Sequence, residues 1–320
     1  MTAARLPESR ETMTVRVGYF PHNNSLFVLR HRGILEQRID VEWVDLRSLP
    51  ATSEPDPTTG LPTLHSDWLF TEGGYDFIGT GFTPPITGLA QERDLVYVGV
   101  SGPRTENGRL VVKADSDIDS VTALKGKRVG IAHGSWQTTL LLFALDSVGL
   151  TWRDIIPVNT SVTDGADLFR NGTIDAWVGA YPGLAAVERD LELRTLIDTE
   201  GLFSHPSLWF TRRDFAEQHP EELAAIVDAL RESDQWIAEH PREAAEYFVR
   251  DVVDRGGDAS LDAWEAAIRN RPFGIGPVTE EFLDEQQRAA DLLHANGLLP
   301  RAVRVREAVL PSAEAVVTAS

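Results

Sequence analysis

Two histidines stand where proton-transfer chemistry can be placed. His22 lies in Pro21-His22-Asn23-Asn24-Ser25, a turn cluster directly after the alternating, β-branched run Thr14–Phe20. An imidazole there, flanked by Asn23 and Asn24, can serve as a general base or donate a hydrogen bond to an anion. The competing reading is a surface histidine without a role. His65, in Leu64-His65-Ser66-Asp67-Trp68, is expected to face His22 across a cleft. Its competing reading is a helix start capped by Ser66 or Asp67.

A second constellation is suited to binding. Gly134-Ser135-Trp136 follows the strand-like Arg128–Ala132 and precedes an apolar helical run. The unpaired N–H groups and positive dipole end of such a helix attract an anion, and Ser135 adds a hydroxyl. Serine in that place is equally an N-cap, and Trp136 either stacks on a flat ligand or packs between domains. His133 is cleft lining or strand-end packing. Arg104, in a candidate crossover, can clamp a carboxylate or sulfonate bidentately or be a solvated loop arginine. Gly79 and Gly81 fit a close backbone approach. Tyr181 and the Ser204-His205 pair are further candidates, and His31, His219, His240 and His294 read as structural.

Positioning these residues requires strands alternating with helices. Strands are expected at Thr14–Phe20, Ile39–Leu46, Tyr75–Thr80, Leu95–Val100, Leu110–Lys113, Arg128–Ala132, Ile155–Asn159, Ile174–Ala180, Thr195–Asp198 and Leu208–Thr211. Helices fit Leu26–Leu35, Leu64–Phe70, Pro84–Gln91, Ser120–Leu124, the run from Trp136 to about Val148, and Asp164 to Gly172. Residues 47–63, rich in Pro and Thr, are expected to form a functional or mobile loop. After Thr211 the pattern is almost wholly helical, beginning at Pro220 and continuing through 242–253, 260–270 and 279–296. This rhythm predicts α/β layers with ligands at the C-terminal ends of strands.

Composition narrows the chemistry. The 320 residues carry 30 Lys+Arg against 49 Asp+Glu, a net charge of −19, and no cysteine. Disulfides, thiolate metal sites, cysteine nucleophiles and a lipid-anchoring cysteine are thereby excluded. A chain this acidic, without a basic stripe, is not expected to bind nucleic acid. No Walker loop, dinucleotide glycine motif, HExxH or metal-spaced carboxylate/His set occurs, so no cofactor or metal is expected. No window reaches 18 apolar residues, and the opening residues, from Met1 or from Met13, lack an export signal. The expectation is a cytoplasmic protein without membrane insertion.

Five stretches in order resemble type 2 periplasmic-binding-protein folds of the nitrate/sulfonate/taurine solute-binding type. They are VGYFPHNNSLFVLRHRGIL, GGYDFIGTGFTPPI, LKGKRVGIAHGSW, LFRNGTIDAWVGAYPG and HPEELAAIVDALRESDQWIAEHPREAAEYF. The cytosolic 2′-hydroxybiphenyl-2-sulfinate desulfinase, which shares this fold, is similar at Gly134-Ser135-Trp136, at His65 and at Thr80–Pro85. Its cysteine nucleophile falls at His22 and its arginine at Ile78, so cysteine-dependent desulfination is not carried over.

The resemblance implies two α/β lobes, 14–106 with 207–320 and 107–206, closing on a ligand. The leading expectation is a cytosolic, cofactor-free lyase acting on a small anionic molecule, aromatic or not. His22 or His65 would move the proton, Ser135 hold the anion and Trp136 stack. The alternatives are a binding protein for an ABC importer of sulfonate-, nitrate- or taurine-like compounds, with a permease as partner, and a cytosolic ligand sensor.

Overall fold

The computed structural model describes residues 13–20, 23–46, 70, 74–104, 108–160 and 164–318. His22, His65, the 47–63 loop and the expected helix at 64–70, Phe70 apart, lie outside the described residues. The chain builds two five-stranded sheets. The first contains β1 (Val15–Tyr19), β2 (Val41–Asp45), β3 (Phe77–Thr80), β4 (Leu95–Val100) and β10 (Leu208–Arg212), in the order β2-β1-β3-β10-β4. The second contains β5 (Gly108–Lys113), β6 (Arg128–Ile131), β7 (Ile156–Asn159), β8 (Ala176–Ala180) and β9 (Leu193–Asp198), in the order β7-β6-β8-β5-β9. β10 lies antiparallel to β3 and β4, and β5 antiparallel to β8 and β9. The chain passes between the sheets twice, at residues 101–107 and 199–207.

Helices α1 (Asn24–Arg32), α2 (Pro84–Ala90), α3 (Trp136–Ser147), α4 (Asp164–Arg170) and α5 (Gly183–Glu188) follow strands. The C-terminal third holds α6 (Arg213–Gln218), α7 (Pro220–Glu239), α8 (Pro241–Asp254), α9 (Leu261–Arg269), α10 (Glu280–Ala295) and α11 (Pro311–Thr318). The expected helix starts shift by a residue or two because caps decide them. Asn23 begins α1 by accepting the Leu26 N–H at 3.0 Å, and Gly33, at φ 61°, ends it. The expected helix at Ser120–Leu124 is a 3-10 turn over Val121–Leu124. The sequence pattern missed α5, α6 and α11, helices of six to eight residues.

Alternation along the strands divides the core. Ile78, Leu95, Tyr97, Leu208 and Phe210 of the first sheet share one cluster with Leu110, Val112, Val129, Ile131 and Val178 of the second. Helices α3 and α10 complete that cluster and bind the two halves together. Gln286 of α10 donates to the Phe82 carbonyl at 2.8 Å, and Arg288 pairs with Asp146 of α3 at 3.3 Å. The opposite faces have their own covers. Val15, Val17, Phe77, Val96 and Trp209 pack under α1 and α6–α9, while Val111 and Trp177 pack under α4 and α5. Such two-sided burial explains why the central strands read as continuous apolar runs.

Candidate functional site

The C-terminal ends of the parallel strands and the two crossings converge on one region. β1 delivers Asn23, whose Oδ1 is spent on the α1 cap while its buried Nδ2 has no partner among the described residues. Glycine at position 79 allows this approach, since a Cβ there would lie 2.2 Å from Asn23 Nδ2 and 2.8 Å from the Trp209 indole. β3 leads into Gly81 and Thr83. The Thr83 hydroxyl donates to the Ser135 carbonyl at 2.8 Å and meets Thr139 Oγ1 at 2.7 Å, a direct link between the halves.

From the second sheet, β6 delivers His133, Gly134 and Ser135. Gly134 turns the chain at φ 72° and donates to Thr138 Oγ1 at 3.1 Å. Ser135 caps α3: its Oγ accepts the Gln137 N–H at 3.1 Å and donates to the Ala132 carbonyl at 2.7 Å. The hydroxyl therefore serves the helix start. Trp136 stacks on His205, with ring centroids 4.2 Å apart and planes 29° apart, and its indole borders Gly81 and Gly108. Its packing joins both sheets and the return crossing. His133 packs at 5.8 Å from Trp152; both its ring nitrogens are buried and unpartnered among the described residues, and burial holds its pKa down at about 4. Tyr181 is tied into the Arg109–Glu188 ion pair, its hydroxyl accepting from Arg109 at 2.7 Å and donating to Glu188.

Two guanidiniums, Arg104 and Arg271, lie beside the crossings. Arg104, 5% exposed, lies in the first crossing and donates from Nε to the His205 carbonyl at 2.8 Å. No carboxylate among the described residues pairs with it; burial first, and Arg271 second, hold its pKa well below the usual arginine value. Arg271 follows α9. Its segment docks on the crossing through the reciprocal Val100–Gly276 bonds (3.0 and 2.7 Å) and the approach of Pro272 to Gly102. Arg271 donates to Asn24 Oδ1, and burial lowers its pKa to about 10. His205 is fully buried at φ 45° with both ring nitrogens unpartnered among the described residues, and burial, then Arg104 and Arg271, hold its pKa well below normal. The ring is neutral.

Arg271 and its buried neighbour Asp234 escaped the sequence reading. The available signal was Arg271-Pro272-Phe273-Gly274-Ile275-Gly276, a Pro/Gly-rich interruption between two amphipathic helices, where loops carry function.

Two five-stranded sheets covered by helices and joined by paired crossings define an α/β fold of the periplasmic-binding-protein type. The chain belongs to the NMT1/THI5-like family, whose model matches residues 69–244. Among solved structures, the periplasmic aliphatic sulphonate binding protein SsuA from Escherichia coli is 27% identical, with a TM-score of 0.77, covering 93% of this chain and 92% of its own. The alkanesulfonate-binding protein SsuA from Xanthomonas axonopodis pv. citri, bound to MOPS, is also 27% identical with a TM-score of 0.77, covering 94% and 99%. The desulfurization enzyme DszB, at 15% identity and a TM-score of 0.63 over 96% and 99%, shares the fold.

Proposed function

We propose that this chain binds the sulfonate group of a small organosulfonate reversibly between its lobes and hands it to a membrane permease of an importer. One observation carries the reading: Arg104 is buried in the first crossing with no carboxylate partner among the described residues, and the Arg271 segment docks on that same crossing. Burying a charge without a counter-charge is costly, so the site is built to receive an anion. Guanidinium forks match the tetrahedral oxygens of a sulfonate as they match phosphate. The names of the two SsuA relatives support the same ligand class. The lyase reading has behind it only the fold shared with DszB at 15% identity. The two histidines described near the site, His133 and His205, are held neutral by burial and reach no described hydrogen-bond partner through their rings.

This reading also asks for the chain outside the cytoplasmic membrane, opposite to the expectation from its first residues; cell fractionation decides between them. The direct test is calorimetry with ethanesulfonate, MOPS, taurine and sulfate, with mass analysis of the recovered ligand. Saturable binding of unchanged sulfonate is expected. Absence of binding, or a changed ligand mass, overturns the proposal.

A further inference from the structure

We propose that a cavity at the base of the first sheet, walled by Arg93, Arg213, Arg301 and Arg304, is a binding site for a small phosphate ester. The proposal is independent of the ligand bound between the lobes.

The cavity holds about 360 Å³, inside the range of small-molecule sites, about 300–1,000 Å³. It lies at Leu95, the first residue of β4, which the strand register sets opposite Arg212 at the end of β10. The interlobe crossings leave from the other end of that pairing, at Val100 and Leu208. The length of β4, roughly 16 Å of extended chain, separates the two places.

Two of the four guanidiniums are fixed by the fold. Arg301 donates from Nε and Nη2 to the Ala90 and Leu89 carbonyls, at 3.2 and 2.6 Å, and so closes the C-terminal end of α2. Arg213 donates from Nε to Asp94 and from Nη2 to the Glu307 carbonyl, both at 2.8 Å. The other two are uncommitted. Neither Arg93 nor Arg304 has an ion-pair partner among the described residues, and Arg93 Nε is buried without a hydrogen bond there. On a chain of net charge −19, this cavity is a local reversal of sign. Guanidiniums gathered on one cavity repel each other, and an anion between them relieves that repulsion.

Their forks match the oxygens of a phosphate. The acids of the same lining define the rest of the ligand. Asp94 is committed to Arg213, and Glu92 stands 3.9 Å from Arg301, while the Glu307 carboxylate pairs with no cation among the described residues. An uncommitted carboxylate repels a bare polyanion but accepts hydrogen bonds from hydroxyls. Leu95 and Val303 supply apolar lining for a carbon skeleton. One phosphate on a short polyhydroxy chain therefore fits better than a free oxyanion.

The test is calorimetry and NMR on the full chain with glycerol 3-phosphate, beside inorganic phosphate and glycerol. The ester should bind saturably and severalfold more tightly than inorganic phosphate, and glycerol should not bind. Amide shifts should centre on Arg93, Asp94, Val303 and Arg304. Arg93→Gln combined with Arg304→Gln should weaken the ester by about tenfold or more, the weight of a charge-assisted hydrogen bond. Should the double variant not fold, Arg304→Gln alone, which removes no hydrogen bond among the described residues, should weaken the ester severalfold at an unchanged melting temperature. The proposal is overturned by absence of saturable ester binding, by inorganic phosphate binding as tightly as the ester, by shifts centred on the interlobe crossings, or by unchanged affinity in Arg304→Gln. Sulfonate binding between the lobes stands or falls separately, on the ethanesulfonate titration.

Discussion

Arg104 and His205 are joined across the two interlobe crossings by a hydrogen bond from the guanidinium Nε to the histidine carbonyl, 2.8 Å long. His205 presents that carbonyl from a left-handed backbone conformation while its ring stacks on Trp136. One residue thus fixes both a charged group and an aromatic wall of the site.

Arg104→Met should weaken ethanesulfonate binding by about a hundredfold, in the range for losing a buried charge partner. Thermal stability should hold or rise, because an uncompensated buried charge is replaced by an apolar chain. Calorimetry and thermal melts on the same preparation check both halves; a large loss of stability would show that Arg104 is structural.

Trp136 depends on the bare backbone of Gly108. A Cβ there would lie 2.0 Å from Trp136 Cη2, which no rotamer adjustment of a methyl group can relieve. Gly108→Ala should displace the indole from His205 and weaken binding at least tenfold. The near-ultraviolet circular dichroism of the ligand-free protein should change with it.

Gly79→Ala should destabilise the first lobe by about 1–3 kcal/mol, the usual cost of overpacking. The added methyl would meet both Asn23 and the buried Trp209. Urea unfolding followed by tryptophan fluorescence measures the loss.

His133 sets a pH dependence with a definite sign. Its folded pKa, about 4, lies below the ordinary value near 6.5, so the unfolded chain binds the extra proton between those values. Its contribution to stability is intact above pH 6.5 and declines as pH falls toward 4. Asp234, with a raised folded pKa, acts in the opposite direction from about 4 to 7. The comparison must therefore be made against His133→Gln, whose melting temperature should fall less than wild type between pH 7 and pH 5.

The strands were legible because their side chains face two apolar clusters with period two, as Leu95/Tyr97 and Val96/Val98 of β4 do. Asn23, Arg104 and Trp136 were legible as loop residues at strand ends. Ser135 carries both meanings in sequence, and only its hydrogen bonds to Ala132 and Gln137 reveal the cap. Arg271 was illegible because its importance comes from docking against residues about 170 positions earlier. Asp234 was illegible for the converse reason. A lone acid in a charged amphipathic helix looks solvated until Gly274, Ser25 and Arg271 close over it.

The pairing of β4 with β10 carries a topological consequence. Leu208 stands opposite Val100, and the Ser101 N–H reaches the Ser207 carbonyl at 2.9 Å, so the ladder ends as an ordinary hairpin would before its turn. The whole second sheet is inserted between those two residues, like a clause in parentheses. Deleting residues 103–205 and bridging the gap with a tight turn would leave the first sheet's hydrogen bonds intact. It would also strip α10 of its apolar partner α3. The architecture is that of a guest domain spliced into a host's hairpin, with α10 as the host surface that accommodates the guest.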